Sequence, residues 1–124
     1  MLYAMLIYQD ETAAKAATEA DMQESVALFE AFQDKMDAAG HVQGGQRLRH
    51  SDTATSVRVR DGKTLVTDGP YAETKEQLGG FYLMECADLD QAIEVAAQIP
   101  TAVSGVIEVR PVFTNPFGPQ EQAG

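Results

Sequence analysis

The 124-residue chain has a single cysteine, Cys86, and only two histidines, His41 and His50. One thiol excludes an internal disulfide, and this residue supply leaves no cysteine-rich zinc site. Positive charge is scarce as well, with 9 Lys+Arg against 19 Asp+Glu and a formal net charge of −10. Nucleic acid and anionic membrane both call for a cationic surface, so neither is expected as a partner. Long apolar runs are missing. The longest, Met1–Tyr8, is far short of the roughly 20 residues that cross a bilayer, and it lacks the basic flank of a secretion signal. A cytoplasmic setting is expected. The chain also has no GxxxxGK[ST], no GxGxxG opening a helix and no GxSxG, and neither histidine has metal-ligand spacing to an acid; no cofactor and no metal are expected.

What is present is ordinary globular material, 44% hydrophobic and 23% charged, enough for one domain with its own core. Residues 1–113 read as that domain and 114–124, with Pro116, Gly118 and Pro119 and no periodicity, as a flexible tail. Met1–Tyr8 is apolar on both alternating faces and predicts a central strand. Gln9–Thr18, polar and alanine-rich, reads as a loop with a frayed turn. Asp21–Ala39 predicts a helix, with Thr18 as a rival start, whose stripe is Met22, Val26, Phe29, Phe32 and Met36. Val42–Arg49 is a strand interrupted by Gly44-Gly45, which predicts a bulge or a close backbone approach.

Thr53–Arg60 alternates cleanly, Asp61-Gly62 signals a hairpin turn, and Thr64–Thr67 returns. Asp68–Gly80 reads as a polar loop and Phe81–Ala87 as a strand, with a bulge at Gly79-Gly80. Asp88 is the N-cap of a second helix with a Leu89, Ala92, Ile93, Ala96 stripe ended by Pro100, and Gly105–Phe113 is the last strand.

Two amphipathic helices need one face of a mostly antiparallel sheet to bury their stripes. The order therefore predicts an α+β, ferredoxin-like βαββαβ fold with an extra hairpin. Both helices cover one sheet face, and the other still carries apolar residues. Burial of that face against a second copy, a homodimer, is the expected solution.

The most informative segment is Val66–Glu85. Asp68-Gly69-Pro70-Tyr71-Ala72-Glu73-Thr74-Lys75-Glu76 followed by Gly79-Gly80-Phe81-Tyr82 closely resembles the signature of YCII-related proteins of the DGPF subgroup. Met1–Tyr8, Gly44-Gly45 with Leu48, Ala54-Thr55, Val57–Val59, Asp61-Gly62-Lys63 and Glu108-Val109-Arg110-Pro111 also match, so the resemblance covers residues 1 to 113. Tyr71 stands where the subgroup usually has Phe, which keeps the ring and adds a hydroxyl. The resemblance implies a dimeric α+β barrel, two ferredoxin-like sheets packed face to face around a cleft. For the wider family it implies small-molecule enzymes of dehydrochlorinase or isomerase type with a His/Asp acid–base pair. For the subgroup it implies companions of extracytoplasmic-function sigma factors. The family's histidine lies on the first helix, and Asp21–Ala39 has none, so the pair does not carry over intact.

Asp68 enters a sharp Asp-Gly-Pro bend in which Pro70 is expected to draw Gly69 toward extended backbone. Its carboxylate serves either as an acceptor within its own turn or as a general base raised in pKa by burial in the cleft. Glu73, Lys75 and Glu76 form a solvated run, or Lys75 anchors an anionic ligand with Glu73 as a second acid–base group. Tyr71, Phe81 and Tyr82 read as core or interface aromatics, and a Tyr71 or Tyr82 hydroxyl would donate to a ligand. His50, between strands, reads as a solvated loop histidine or, because histidine as a residue type suits acid–base work near neutrality, as the other catalytic candidate beside Asp68. His41 follows the helix stop and serves its dipole, while Cys86 reads as a small buried hydrophobe.

Two functions stay open. One is a cofactor-free small-molecule lyase, isomerase or dehydrochlorinase with Asp68 and His50 as catalytic residues and Tyr71, Glu73, Lys75 and Tyr82 binding the ligand. The other is a non-catalytic small-molecule-binding or regulatory partner of such a sigma factor, using the same cleft.

Overall fold

A computed structural model describes residues 1–115, 117 and 118; most of the expected tail, 114–124, lies outside the described residues. The chain forms β1 (Leu2–Gln9), α1 (Glu11–Lys15), α2 (Glu19–Ala38), β2 (Val42–Arg47), β3 (Thr55–Arg60), β4 (Lys63–Asp68), β5 (Gln77–Glu85), α3 (Leu89–Ala96) and β6 (Val106–Pro111). Single 3₁₀ turns cover Ser51–Thr53 and Pro100–Val103. Four strands make an antiparallel sheet in the order β2-β5-β1-β6, the ferredoxin-like arrangement, while β3 and β4 pair only with each other. Among the described residues no helix is long and apolar enough to cross a membrane.

Period-two alternation in β1 sends Tyr3, Met5 and Ile7 to one face of the sheet, where they are buried. Register carries Tyr82, Met84, Ile107 and Val109 to the same face, because they lie opposite those residues. Phe32 and Met36 of α2 and Ala92, Val95 and Ala96 of α3 close over it, with Ile99 and Cys86 completing the core. The Phe32 and Tyr82 rings meet at a centroid distance of 5.5 Å and a tilt of 57°, within the favourable range for aromatic pairs.

Four local expectations are corrected. Residues 9–18 are not a plain loop: Asp10 caps a short helix through Thr12 N–H at 2.9 Å. The second helix starts from Thr18, whose Oγ1 accepts from Asp21 N–H while Asp21 Oδ2 accepts from Thr18 N–H, a capping box that displaces Asp21 as the cap. Its stripe is buried only at the C-terminal end, since Met22 and Val26 are 51% and 49% exposed; a 20-residue helix, about 30 Å long, outruns the packed surface. On α3 the buried stripe is Ala92, Val95 and Ala96, whereas Leu89 and Ile93 face out. Apolar residues at 89, 92, 93, 95 and 96 allow either stripe, so eight residues could not fix the rotation.

The Gly-Gly pairs act as read. In β2 the register slips between Val42 and Gly44, and in β5 Gly79 is the extra residue between partners of Ile7 and Tyr8. Strand β5 nevertheless begins at Gln77, so Gly79-Gly80 lies within it and the loop is shorter than expected. A Cβ on Gly80 would stand 2.8 Å from the Gln46 carbonyl oxygen, a backbone atom that cannot step aside without opening the β2–β5 ladder. Gly80→Ala is expected to destabilise the fold by about 1–3 kcal/mol, read as a lower urea midpoint at unchanged slope. Asp61 and Gly62 adopt φ of 52° and 73°, the turn that Asp-Gly signalled.

Candidate functional site

Among the described residues no helix covers the second face of the sheet. Ala4 and Leu6 of β1 share it with Leu83 and Phe81 of β5, directly opposite them, and all four are half-buried. On the other side of β1, Leu6 faces Glu108 and Ala4 faces Arg110. Tyr8, two residues on from Leu6, closes this end, its hydroxyl donating to Glu108 Oε1 at 3.3 Å. Arg110 pairs with the other carboxylate oxygen of Glu108. A phenol, a carboxylate and a guanidinium thus stand in a row along an apolar floor.

The electrostatics follow from that row. Burial, with the neighbouring Glu108 carboxylate, pushes the Tyr8 hydroxyl above the ordinary tyrosine range, and Arg110 opposes the shift. Glu108 raises the Arg110 guanidinium. The raised phenol serves as a hydrogen-bond donor, and Glu108 is contacted by Tyr8 on one oxygen and by Arg110 on the other.

The corner beside this face is fastened by Glu11. Its side chain is buried, with Oε1 accepting from Ser51 N–H at 2.7 Å and Oε2 from Ser51 Oγ–H at 2.6 Å. Its own N–H donates to Gln77 Oε1 at 3.0 Å. Nearby, Lys15 Nζ donates to Asp52 Oδ2 at 2.9 Å. The Lys15 ammonium holds the Asp52 carboxyl below the usual range, with a smaller contribution from His50. This clasp joins the start of α1, the Ser51–Thr53 turn and the start of β5, and so it sits where the 69–76 loop re-enters the sheet.

The residues singled out in the sequence are scattered over this frame. Asp68 ends β4 opposite Thr55 and is exposed. No hydrogen bond reaches its carboxylate among the described residues, so it does not act as the turn acceptor; the bend is held instead by Gly69 N–H donating to Ala54 O at 2.7 Å and Ser56 Oγ–H donating to Gly69 O at 2.8 Å. Gly69 has φ of +96° rather than the extended backbone expected before Pro70. His50 is half-buried in the Glu11 corner, and no hydrogen bond joins it to Asp68 among the described residues. Tyr71 is 83% exposed, and among the described residues no hydrogen bond joins its hydroxyl to the Tyr8–Glu108–Arg110 row. Glu73 and Lys75 are exposed and form no ion pair among the described residues. Tyr82 lies on the helix-covered face against Phe32, because alternation in β5 puts it opposite in sense to Phe81 and Leu83; a ligand on the open face would not meet it.

Sequence reasoning missed Tyr8, Glu108, Arg110 and Glu11 as functional or site-shaping residues. A signal existed for two of them: Glu108 and Arg110 alternate with the apolar Ile107 and Val109, which marks charges aimed away from the core. His41, expected to serve the helix dipole, bonds through Nδ1 with the Glu85 carbonyl oxygen at 2.7 Å and so ties the helix end to β5.

Burial pushes up both the Tyr82 hydroxyl and the Cys86 thiol, so Cys86 is the inert buried thiol its strand position suggested. Because these folded-state values exceed the unfolded ones, their contribution is complete below the unfolded pKa values of about 8.5 and 10. It is lost as pH climbs through the higher folded values. Stability should therefore fall on the alkaline side. Cys86→Ala and Tyr82→Phe should each flatten that limb in urea titrations repeated across pH.

The fold and this face define an α+β protein with a ferredoxin-like sheet, one side packed by helices and the other an apolar floor edged by a tyrosine–glutamate–arginine row. The chain belongs to the YCII-related domain family, which matches residues 1–116. It is also 41% identical over 114 residues to an uncharacterised protein of Rhizobium meliloti (strain 1021), covering 90% of this chain and 92% of that one.

Proposed function

We propose that this chain works as a homodimer whose two open sheet faces enclose a pocket for a small organic molecule, and that Tyr8 and Glu108 move a proton on it without a cofactor. The observation that carries this reading is the Tyr8–Glu108–Arg110 row beside the half-buried floor of Leu6 and Phe81. Glu108 is the base, Arg110 positions it, and Tyr8 donates to an oxygen that gains charge; a lyase or isomerase needs these parts. Tyr71 and Lys75 on the 69–76 loop supply further donors from above, with Asp68 at its root. The motif beginning at Asp68 supports placement in the DGPF subgroup, and the single free cysteine, Cys86, supports a reducing, cytoplasmic setting.

A second reading, a ligand-binding regulatory partner of an extracytoplasmic-function sigma factor, is favoured by two facts. The helices carry no histidine, and Asp68 and His50 are not bonded to each other among the described residues.

Crystals of protein purified without stripping bound small molecules test the pocket. Density on the Leu6–Phe81 floor, within hydrogen-bond distance of Tyr8 or Glu108, is expected; an empty floor packed directly on its partner contradicts it. Glu108→Gln should then slow conversion of that molecule about 10²–10⁴-fold. Binding of an unconverted ligand equally by both proteins would establish the regulatory reading instead.

A further inference from the structure

The open floor has one small side chain at its middle. Along β1 the residues on that face are Leu2, Ala4, Leu6 and Tyr8, all half-buried. Three are large and one is a methyl group. Across the sheet Ala4 lies directly between Leu83 of β5 and Arg110 of β6. Leu83 in turn neighbours Gly44 of β2, and its Cδ1 lies 3.7 Å from where a Cβ on that glycine would stand, so this arm of the leucine rests over the glycine. The Ala4 methyl group is therefore the bottom of a hollow, with Leu2 and Leu6 at its ends and Leu83 and Arg110 at its sides.

Strand geometry sets the size of that hollow. Leu2 and Leu6 stand about 13 Å apart along the strand, and Leu83 and Arg110 about 10 Å apart across two strand spacings. Once the side chains take their own volume, the space left at van der Waals contact holds about one six-membered ring. A second floor packed on this one, at about 10 Å between sheets, closes the hollow from above.

Arg110 gives the occupant its chemistry. The guanidinium is exposed, and among the described residues its one hydrogen bond runs from Nη2 to Glu108 Oε2. The rest of its donor fork is free, and that planar fork matches a carboxylate bidentately. Glu108 stands diagonal to Ala4, opposite Leu6, so a ring seated over the methyl group turns an edge toward the base.

We propose that Ala4 sets the specificity of the site: the hollow above it takes a small monocyclic carboxylate, held by the Arg110 guanidinium. The inference rests on the pocket reading above and names the class of molecule that the pocket takes.

Calorimetric titration of the whole protein with benzoate, its uncharged counterpart benzamide and the two-ring 2-naphthoate tests it. Wild type should bind benzoate about tenfold or more tightly than either of the others, and Arg110→Gln should remove the preference over benzamide. Ala4→Leu fills the hollow and should weaken benzoate about tenfold or more, while sedimentation still shows the dimer, because leucine adds apolar contact to that face. Ala4→Val should weaken it less. The comparison of the three ligands on wild type needs no substitution, so it decides the class even if leucine disturbs the sheet. Equal binding of benzoate and benzamide overturns the carboxylate, and equal binding of 2-naphthoate overturns the size limit. Unchanged benzoate binding by a dimeric Ala4→Leu protein overturns the hollow. Each of these results leaves the pocket standing where crystals show ligand density on the Leu6–Phe81 floor. A wild type that binds none of the three overturns the inference, and a monomeric wild type removes the pocket with it.

Discussion

Replacing Glu11 by alanine is expected to destabilise the protein by about 2–4 kcal/mol, the range for removing one member of a buried charged hydrogen-bond set. The carboxylate is 7% exposed, and both its oxygens are used, by the amide and the hydroxyl of Ser51. Without it the Ser51 N–H stays buried and unpaired, and the 3₁₀ turn is no longer tied to α1. Glu11→Gln retains one acceptor and should cost about 1 kcal/mol, one ordinary hydrogen bond. Urea denaturation of the three proteins checks the order. Equal stability of wild type and Glu11→Ala would mean that the corner is held by the Glu11 N–H bond to Gln77 and the Lys15–Asp52 pair alone.

Leu6→Glu is expected to act in the opposite way, leaving the single chain folded while abolishing its self-association. Leu6 sits mid-floor between Phe81 and Glu108, on a face without helices, so a carboxylate there meets water in an isolated subunit. In a face-to-face dimer it is buried twice, once per copy, and each buried ion costs several kcal/mol. A weakening of at least a hundredfold follows, about 2.7 kcal/mol. Sedimentation together with far-UV circular dichroism reads both halves of the prediction. An unchanged mass would place the floor outside any interface.

These two residues also show how far the sequence could be read. Leu6 was legible: an eight-residue strand apolar on both faces, beside two helices able to cover one of them, leaves a second face open by counting alone. The hairpin turn was legible for a similar reason, since Asp61-Gly62 is a local signal, and the succession of elements pointed to the ferredoxin-like class. Glu11 was not. It lies in a polar, alanine-rich stretch, and its burial depends on Ser51, forty residues away, whose position is set by tertiary packing.

Tyr8, Glu108 and Arg110 come together only through the β1–β6 register, and no local pattern specifies which strands become neighbours. The conspicuous local signal is instead the charged, glycine-bounded run from Asp68 to Gly80, which no side-chain hydrogen bond or ion pair joins to the row among the described residues. Tyr82 is the core aromatic that its strand suggested, packed on Phe32, and its alternation with Phe81 and Leu83 keeps its hydroxyl from the open face.

The pocket exists only if two open faces meet, so the oligomeric state is the most direct test. Sedimentation velocity of the unmodified chain at micromolar concentration should give a single species of twice the 13.4 kDa chain mass. A stable species of one chain mass under those conditions would leave the floor of Ala4, Leu6, Phe81 and Leu83 in water and contradict the account.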